Sequence, residues 1–208
     1  MSSNTARVFI DGEAGTTGLG IRERLAHETG VTVVSIDPAR RKDPAARQAL
    51  MRDVDLVILC LPDDAAIESV QLATELGANA PRLIDASTVH RIAPGWTYGF
   101  PELTREQSDI VAKAQNVANP GCYPTGAIAL IRPLVDAGIL PPDHPVTINA
   151  VSGYSGGGKG MIEAFEATSP VKETAPAFEL YGLGLTHKHL PELQRYSGLT
   201  TRPIFVPS

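Results

Sequence analysis

Val8-Phe9-Ile10-Asp11 runs directly into Gly12-Glu13-Ala14-Gly15-Thr16-Thr17-Gly18, and apolar residues at Leu19, Ile21 and Leu25 follow at helical spacing. A second strand-like run, Val31 to Ile36, comes at the distance a strand–helix–strand unit requires. Parallel strands cannot be joined by a tight turn, so this order commits the first half of the chain to a parallel α/β sheet. Glycines let the backbone approach a diphosphate, and the start of the following helix favours an anion. Gly12, Gly15, Thr16, Thr17 and Gly18 are therefore the expected phosphate-binding residues. Their G-x-x-G-x-x-G spacing departs from the commoner G-x-G-x-x-G, and taken alone it is equally compatible with a plain turn before a helix.

The end of the second strand, with Ser35, is where an adenosine ribose would lie, and Asp37-Pro38-Ala39-Arg40-Arg41-Lys42 follows it. An acidic residue here suits a ribose 2′-hydroxyl and NAD, whereas cations suit a 2′-phosphate and NADP. Arg40, Arg41 and Lys42 outnumber Asp37, so NADP is the expected cofactor; a solvated charge run is the alternative. Asp55 to Pro62 is a continuous apolar run, as in a central parallel strand covered on both faces, with Cys60 read as core packing and Pro62 at the cofactor edge. Ala65 to Leu76 reads as a helix and Arg82-Leu83-Ile84-Asp85 as a further strand. The loop after that strand carries Ser87 and Arg91, hydroxyl and guanidinium groups suited to an anionic substrate.

Chemistry of another kind is concentrated in Asn119-Pro120-Gly121-Cys122-Tyr123-Pro124-Thr125-Gly126. A short apolar segment precedes Cys122, and Ala127 to Val135 continues at helical spacing until Gly138, so the thiol stands at a helix entrance. Unpaired N–H groups and the helix dipole there favour thiolate, and Pro124 fits the first turn. A buried structural cysteine is the alternative. Val146 to Val151 reads as a strand leading into a flexible glycine-rich loop, Ser152 to Lys159, in which Ser155 and Gly156 could meet a ligand. His187 and His189 precede a helix with Pro191 in its first turn, and one of them could exchange a proton with Cys122. No further ligand cluster accompanies this His-x-His pair, so no metal is expected.

A net charge of −5 argues against nucleic acid or an anionic membrane as partner. With only Cys60 and Cys122, no apolar run of transmembrane length and no signal peptide before the first strand, the expected location is the reducing cytoplasm.

Together these strings resemble the short-form N-acetyl-γ-glutamyl-phosphate reductases over essentially the whole chain. The resemblance rests on the Gly12 to Gly18 loop, the Asn119 to Gly126 string, the Ser152 to Lys159 loop and the His187 to Glu192 segment, in family order. Leu130 stands where the family's cysteine signature commonly has a smaller residue, whereas Pro133 is kept. The resemblance implies an α/β Rossmann NADP-binding domain over residues 1–120. An α+β substrate and catalytic domain of the semialdehyde and glyceraldehyde-phosphate dehydrogenase type is implied over 121–208. It further implies a cysteine thioester route from an acyl phosphate to an aldehyde in arginine biosynthesis, in a homo-oligomer, dimer or tetramer. Cys122 is then the nucleophile, His189 (or His187) the acid/base, Arg91 the holder of substrate phosphate, and Asn119 a neighbour of the thiol. Family members continue beyond the position of Ser208, so the second sheet is expected to be incomplete. A related acyl-phosphate reductase of the aspartate-semialdehyde dehydrogenase kind, or a non-catalytic nucleotide-binding regulator, are the alternatives.

Overall fold

The computed structural model describes residues 5–166 and 178–208. These divide into two compact units, the first ending at Pro120 and the second starting at Gly121.

The first unit is a six-stranded sheet in the order β2-β1-β3-β4-β6-β5, with every pairing parallel. Its strands are β1 (Ala6–Asp11), β2 (Val31–Val34), β3 (Leu56–Leu59), β4 (Arg82–Asp85), β5 (Thr97–Tyr98) and β6 (Asn116–Ala118). Between them run α1 (Thr16–Leu25), α2 (Pro44–Arg52), α3 (Asp63–Thr74) and α4 (Gln107–Lys113). The chain leaves β1 first to one side for β2 and then crosses to the other for β3, so the strand order reverses between β1 and β3. Crevices at such a switch point, outside the carboxyl ends of the strands, are where open α/β sheets take ligands. β1 and β3 are apolar on both faces, and Phe9, Val57 and Leu59 pack with Met51, Val54, Ala73 and Leu83 in one core cluster. Each of the larger side chains contributes about 1.5–3 kcal/mol on burial, which explains why these two strands lie inside the sheet with a partner on either side.

Two differences from expectation follow from local chemistry. β3 ends at Leu59, and Cys60 lies just beyond it, its N–H donating to the Asp11 carbonyl at 2.8 Å. Half-buried there, Cys60 has its thiol pushed up to about 11 by burial, with the Asp11 and Asp85 carboxylates adding to the effect. The helix α2 was not expected; its inward side carries Arg47, which is buried beside Ala46 and Met51 and ion-paired to Asp11.

In the second unit, α5 (Cys122–Asp136) packs on α7 (Leu190–Ser197), and β7 (Thr147–Ala150) pairs in parallel with β8 (Ile204–Pro207). Ile128, Ile131, Leu190, Leu193 and Phe205 are buried between these elements. Gly138 takes φ of 68° just past α5, the left-handed turn that glycine adopts without a Cβ penalty. The stretch expected as a flexible loop is more regular than its glycine content suggests. Tyr154–Gly157 forms a turn of 3₁₀ helix, and Lys159–Phe165 is the helix α6.

Among the described residues no helix is long and apolar enough to cross a membrane.

Candidate functional site

The first unit builds a cradle at the β1/β3 switch point. Gly12 follows β1 with φ of 92°, and a Cβ there would lie 2.3 Å from the Cys60 carbonyl oxygen. A Cβ on Gly18 would lie 2.5 Å from the Gly12 carbonyl oxygen, so α1 rests directly on the loop. Neither position admits a side chain without moving backbone. Gly15, 3.0 Å through its N–H from the Gly12 carbonyl, supplies the N-cap of α1 and has no side-chain cap. The first turn of α1 carries no acidic residue, and Thr16 and Thr17 are exposed on it. The positive end of this helix is therefore not neutralised by its own sequence, which is the arrangement an anionic diphosphate requires. Pro62, the N-cap of α3, opens the neighbouring loop, but there Asp63 and Asp64 occupy the first turn and Asp63 accepts the Thr88 N–H at 2.9 Å.

Beneath the cradle lies a buried polar cluster with no signature in the sequence. Asp11 Oδ2 accepts from Arg47 Nη2 at 2.8 Å, from Arg47 Nε at 3.2 Å and from Ser69 Oγ at 2.6 Å. Arg47 Nη1 reaches on to Glu68 at 2.9 Å. The residue immediately before Gly12 is thus fixed by helices α2 and α3 together.

At the end of β2, Ser35 follows the strand directly. Its Oγ accepts from Arg22 Nη1 at 2.6 Å and donates to Glu13 Oε1 at 3.1 Å, and Arg22 and Glu13 form an ion pair. Neither Arg22 nor Glu13 was an expected participant. The charge run that was expected there is partly engaged elsewhere, Arg40 with Asp43 and Asp37 with the Ala39 N–H, whereas Arg41 and Lys42 are exposed. The Arg40 guanidinium, 3.0 Å from Asp43 Oδ2, with the hydrogen bonds of the Ala46 and Ala45 N–H groups, holds the Asp43 carboxyl below the usual carboxylate range.

After β4 the loop folds inward. Asp85 is fully buried, its Oδ2 bonded to Ser87 Oγ at 2.5 Å and to His90 Nδ1 at 2.5 Å, while Oδ1 accepts the Ser87 N–H at 2.9 Å. His90 stacks on Trp96 at 4.1 Å. The Ser87 hydroxyl is therefore turned onto Asp85. Arg91, also buried, donates from Nε to the Asn119 carbonyl at 3.1 Å and from Nη2 to the Ala86 carbonyl at 3.3 Å, which ties the carboxyl ends of β4 and β6 together.

In the second unit Cys122 is the first residue of α5 and is exposed. The helix starts there because Gly121 is extended, and its carbonyl accepts from the Thr125 N–H at 3.0 Å and the Thr125 hydroxyl at 2.8 Å. Pro124 in the first turn forfeits no hydrogen bond. Around Cys122 the chain gathers aromatic rings. Tyr123 shares a 2.7 Å hydroxyl–hydroxyl bond with Tyr181 and lies edge-on to His187, His189 and Phe205. Burial, the Tyr123 hydroxyl and the nearby Cys122 side chain all raise the Tyr181 hydroxyl above its ordinary range.

The two histidines differ. His189 is buried beneath the rings, whereas His187 is only half-buried. Burial and then the Lys188 charge lower the His187 imidazole below its usual value. His187 Nδ1 accepts the His189 N–H at 3.2 Å, which leaves the proton of the neutral ring on Nε2. Ser155 and Gly156, in the 3₁₀ turn, are exposed, and a Cβ on Gly156 would lie 2.8 Å from Ser152 Oγ.

Comparison with known proteins matches both units. Residues 18–110 match the semialdehyde dehydrogenase NAD binding domain, and residues 122–208 match the semialdehyde dehydrogenase dimerisation domain. N-acetyl-gamma-glutamyl-phosphate reductases from Chelativorans sp. (strain BNC1) and Brucella anthropi are each 55% identical, over 98% and 97% of this chain. The chain spans 64% of the length of these relatives. Among solved structures, aspartate semialdehyde dehydrogenase II of Vibrio cholerae complexed with ASA gives a TM-score of 0.67 at 17% identity, covering 98% of this chain and 70% of that one. The aspartate semialdehyde dehydrogenase of Francisella tularensis gives 0.68 at 14% identity, covering 97% and 72%. At such identities the likeness shows the fold alone.

Proposed function

We propose that this chain, which belongs to the semialdehyde dehydrogenase family through both of its units, carries the machinery of an NADP-dependent N-acetyl-γ-glutamyl-phosphate reductase. The observation that carries the reading is Cys122, exposed at the start of α5 beside Tyr123, whose ring meets the His187 and His189 imidazoles, in a chain whose other half matches an NAD binding domain. The backbone at Gly12 and Gly18, where a Cβ would strike carbonyl oxygens, fits a dinucleotide diphosphate laid against bare backbone. Gly15, Thr16 and Thr17 would hold its phosphates, and Ser35 would meet the ribose.

The reaction begins with the Cys122 thiolate attacking the acyl carbon of N-acetyl-γ-glutamyl phosphate. A C–S bond forms, the C–O bond to phosphate breaks, and the departing phosphate takes up a proton from water. Phosphate is a good leaving group, and the thioester left on Cys122 accepts hydride more readily than a carboxylate would. A nicotinamide dinucleotide, when bound, supplies that hydride. The negative charge that develops on the former carbonyl oxygen suits donation from backbone N–H groups at the start of α5 and from His187 Nε2–H. Collapse of that alkoxide re-forms C=O, breaks the C–S bond and returns Cys122 as thiolate with release of N-acetylglutamate 5-semialdehyde. His187, being more open than His189, is the better placed of the two histidines for contact with substrate. Arg91 and Asn119 would hold the anionic substrate, with Arg91 already positioned by backbone carbonyls, whereas the Ser87 hydroxyl proton is committed to Asp85. The match of residues 122–208 to a dimerisation domain supports assembly as a homo-oligomer.

The test is phosphate-dependent reduction of NADP by N-acetylglutamate semialdehyde, run with the chain and with Cys122→Ala. Reduction that requires phosphate and disappears in Cys122→Ala supports the proposal; equal rates in both proteins contradict it.

A further inference from the structure

The charged run after β2 sets Asp37 against Arg40, Arg41 and Lys42, a contest that charge counting alone gives to the cations. The structure removes two of the contestants. Asp37 Oδ1 accepts the Ala39 N–H at 2.9 Å, and Arg40 donates from Nε and Nη2 to Asp43 Oδ2 at 3.3 and 3.0 Å. Asp43 in turn caps α2 through the Ala45 and Ala46 N–H groups. Different residues face Ser35. Arg22 of α1 donates to Ser35 Oγ at 2.6 Å, Ser35 donates to Glu13 Oε1 at 3.1 Å, and Arg22 and Glu13 are ion-paired. The Arg22 and Glu13 side chains are 45% and 21% exposed, so a ligand can reach both.

We propose that Arg22 and Ser35 form the seat for a phosphomonoester on the 2′ position of the adenosine ribose, and that Glu13 is an internal anion occupying this seat until phosphate displaces it. The inference rests on the dinucleotide-binding proposal above. A guanidinium and a hydroxyl that already hold one carboxylate offer the donors a phosphate oxygen needs, and the phosphate dianion carries more charge and more acceptor atoms. The Glu13 carboxylate repels a 2′-phosphate while it remains in place. The same carboxylate can accept a hydrogen bond from an unmodified 2′-hydroxyl. Arg22 therefore favours NADP, Glu13 opposes it and tolerates NAD, and their ion pair sets the balance between the two cofactors. Sequence spacing gave no hint of this, because Glu13 lies inside the glycine loop and Arg22 on the helix that follows it.

Calorimetric titration with 2′,5′-ADP and with 5′-AMP isolates this seat from catalysis. The chain should bind 2′,5′-ADP more tightly than 5′-AMP. Arg22→Gln should weaken 2′,5′-ADP roughly 10- to 100-fold, the loss expected for a charge-assisted hydrogen bond, while leaving 5′-AMP almost unchanged. Arg22→Lys should retain part of the preference, and Glu13→Gln should tighten 2′,5′-ADP several-fold. The 5′-AMP measurement doubles as a check that each variant is folded. A chain that does not distinguish the two ligands overturns the NADP assignment itself and this inference with it. A chain that prefers 2′,5′-ADP but keeps the preference in Arg22→Gln overturns only the inference and returns the role to Arg41 and Lys42.

Discussion

The Gly121 N–H donates to Glu192 Oε2 at 3.1 Å, and Glu192 is 2% exposed. A buried carboxylate in the first turn of α7 thereby fixes the residue that precedes the candidate nucleophile, and does so from the segment that carries His187 and His189. Removing the acceptor leaves a buried backbone N–H unsatisfied, which costs about 1–3 kcal/mol. Glu192→Ala should lower unfolding stability by that amount and Glu192→Gln by less, as measured by urea denaturation; equal stability of all three proteins would show that the bond does not hold the turn.

The glycine cradle makes a paired prediction. Gly12→Ala places a methyl group against the Cys60 carbonyl in a left-handed backbone conformation, whereas a Cβ on Gly20 in α1 meets nothing within 4 Å. Gly12→Ala should abolish dinucleotide binding and lower stability by more than about 1–2 kcal/mol, the strain of such a conformation alone. Gly20→Ala should be neutral or stabilising by up to about 1 kcal/mol. Titration calorimetry and urea unfolding on the two variants check both halves.

Beneath that cradle, Arg47 and Asp11 are both buried and bonded. Breaking such a pair from one side strands a charge and costs about 3–5 kcal/mol. Arg47→Met should show a loss of that size in urea denaturation. Arg47→Met combined with Asp11→Asn should recover part of it; additive losses would show that the two side chains are not coupled.

Burial and Lys188 lower the His187 imidazole. The folded protein therefore takes up this proton at lower pH than the unfolded chain does. The associated stability is present above the unfolded value and is lost as pH falls from there through the folded value. NMR titration should place the His187 ring below 6.5, the ordinary value. His187→Gln should flatten the stability profile over the same window and slow turnover. A ring titrating at or above the ordinary value would contradict the assigned environment.

The parts of this molecule legible from sequence are those set by local patterning. β1, the glycine loop and α1 could be read because a continuous apolar run, glycine and helical spacing lie within one short stretch, and Cys122 because Gly121 and Pro124 mark a helix start. α2 was not read from sequence, since Arg47 shares its buried side with Ala46 and Met51 and a charged residue there interrupts the apolar face. β5 is only Thr97–Tyr98, too short to carry a period. Tyr181 lies in a stretch without regular structure, and contacts between distant parts of the chain, with the Tyr123 hydroxyl and the Pro207 carbonyl, reveal it. Arg22 and Glu13 were hidden for a similar reason, because their common partner Ser35 comes from another strand.

The most direct test of the central claim, that Cys122 carries the acyl group, is mass spectrometry of the chain after incubation with N-acetyl-γ-glutamyl phosphate and no nicotinamide dinucleotide. The account predicts one N-acetylglutamyl adduct, on Cys122, absent in Cys122→Ser. Cys60, half-buried with its thiol pushed up to about 11, should remain unmodified because almost none of it is thiolate near neutral pH. Phosphate release with no adduct in rapidly quenched samples, or an adduct on Cys60 instead, would contradict it.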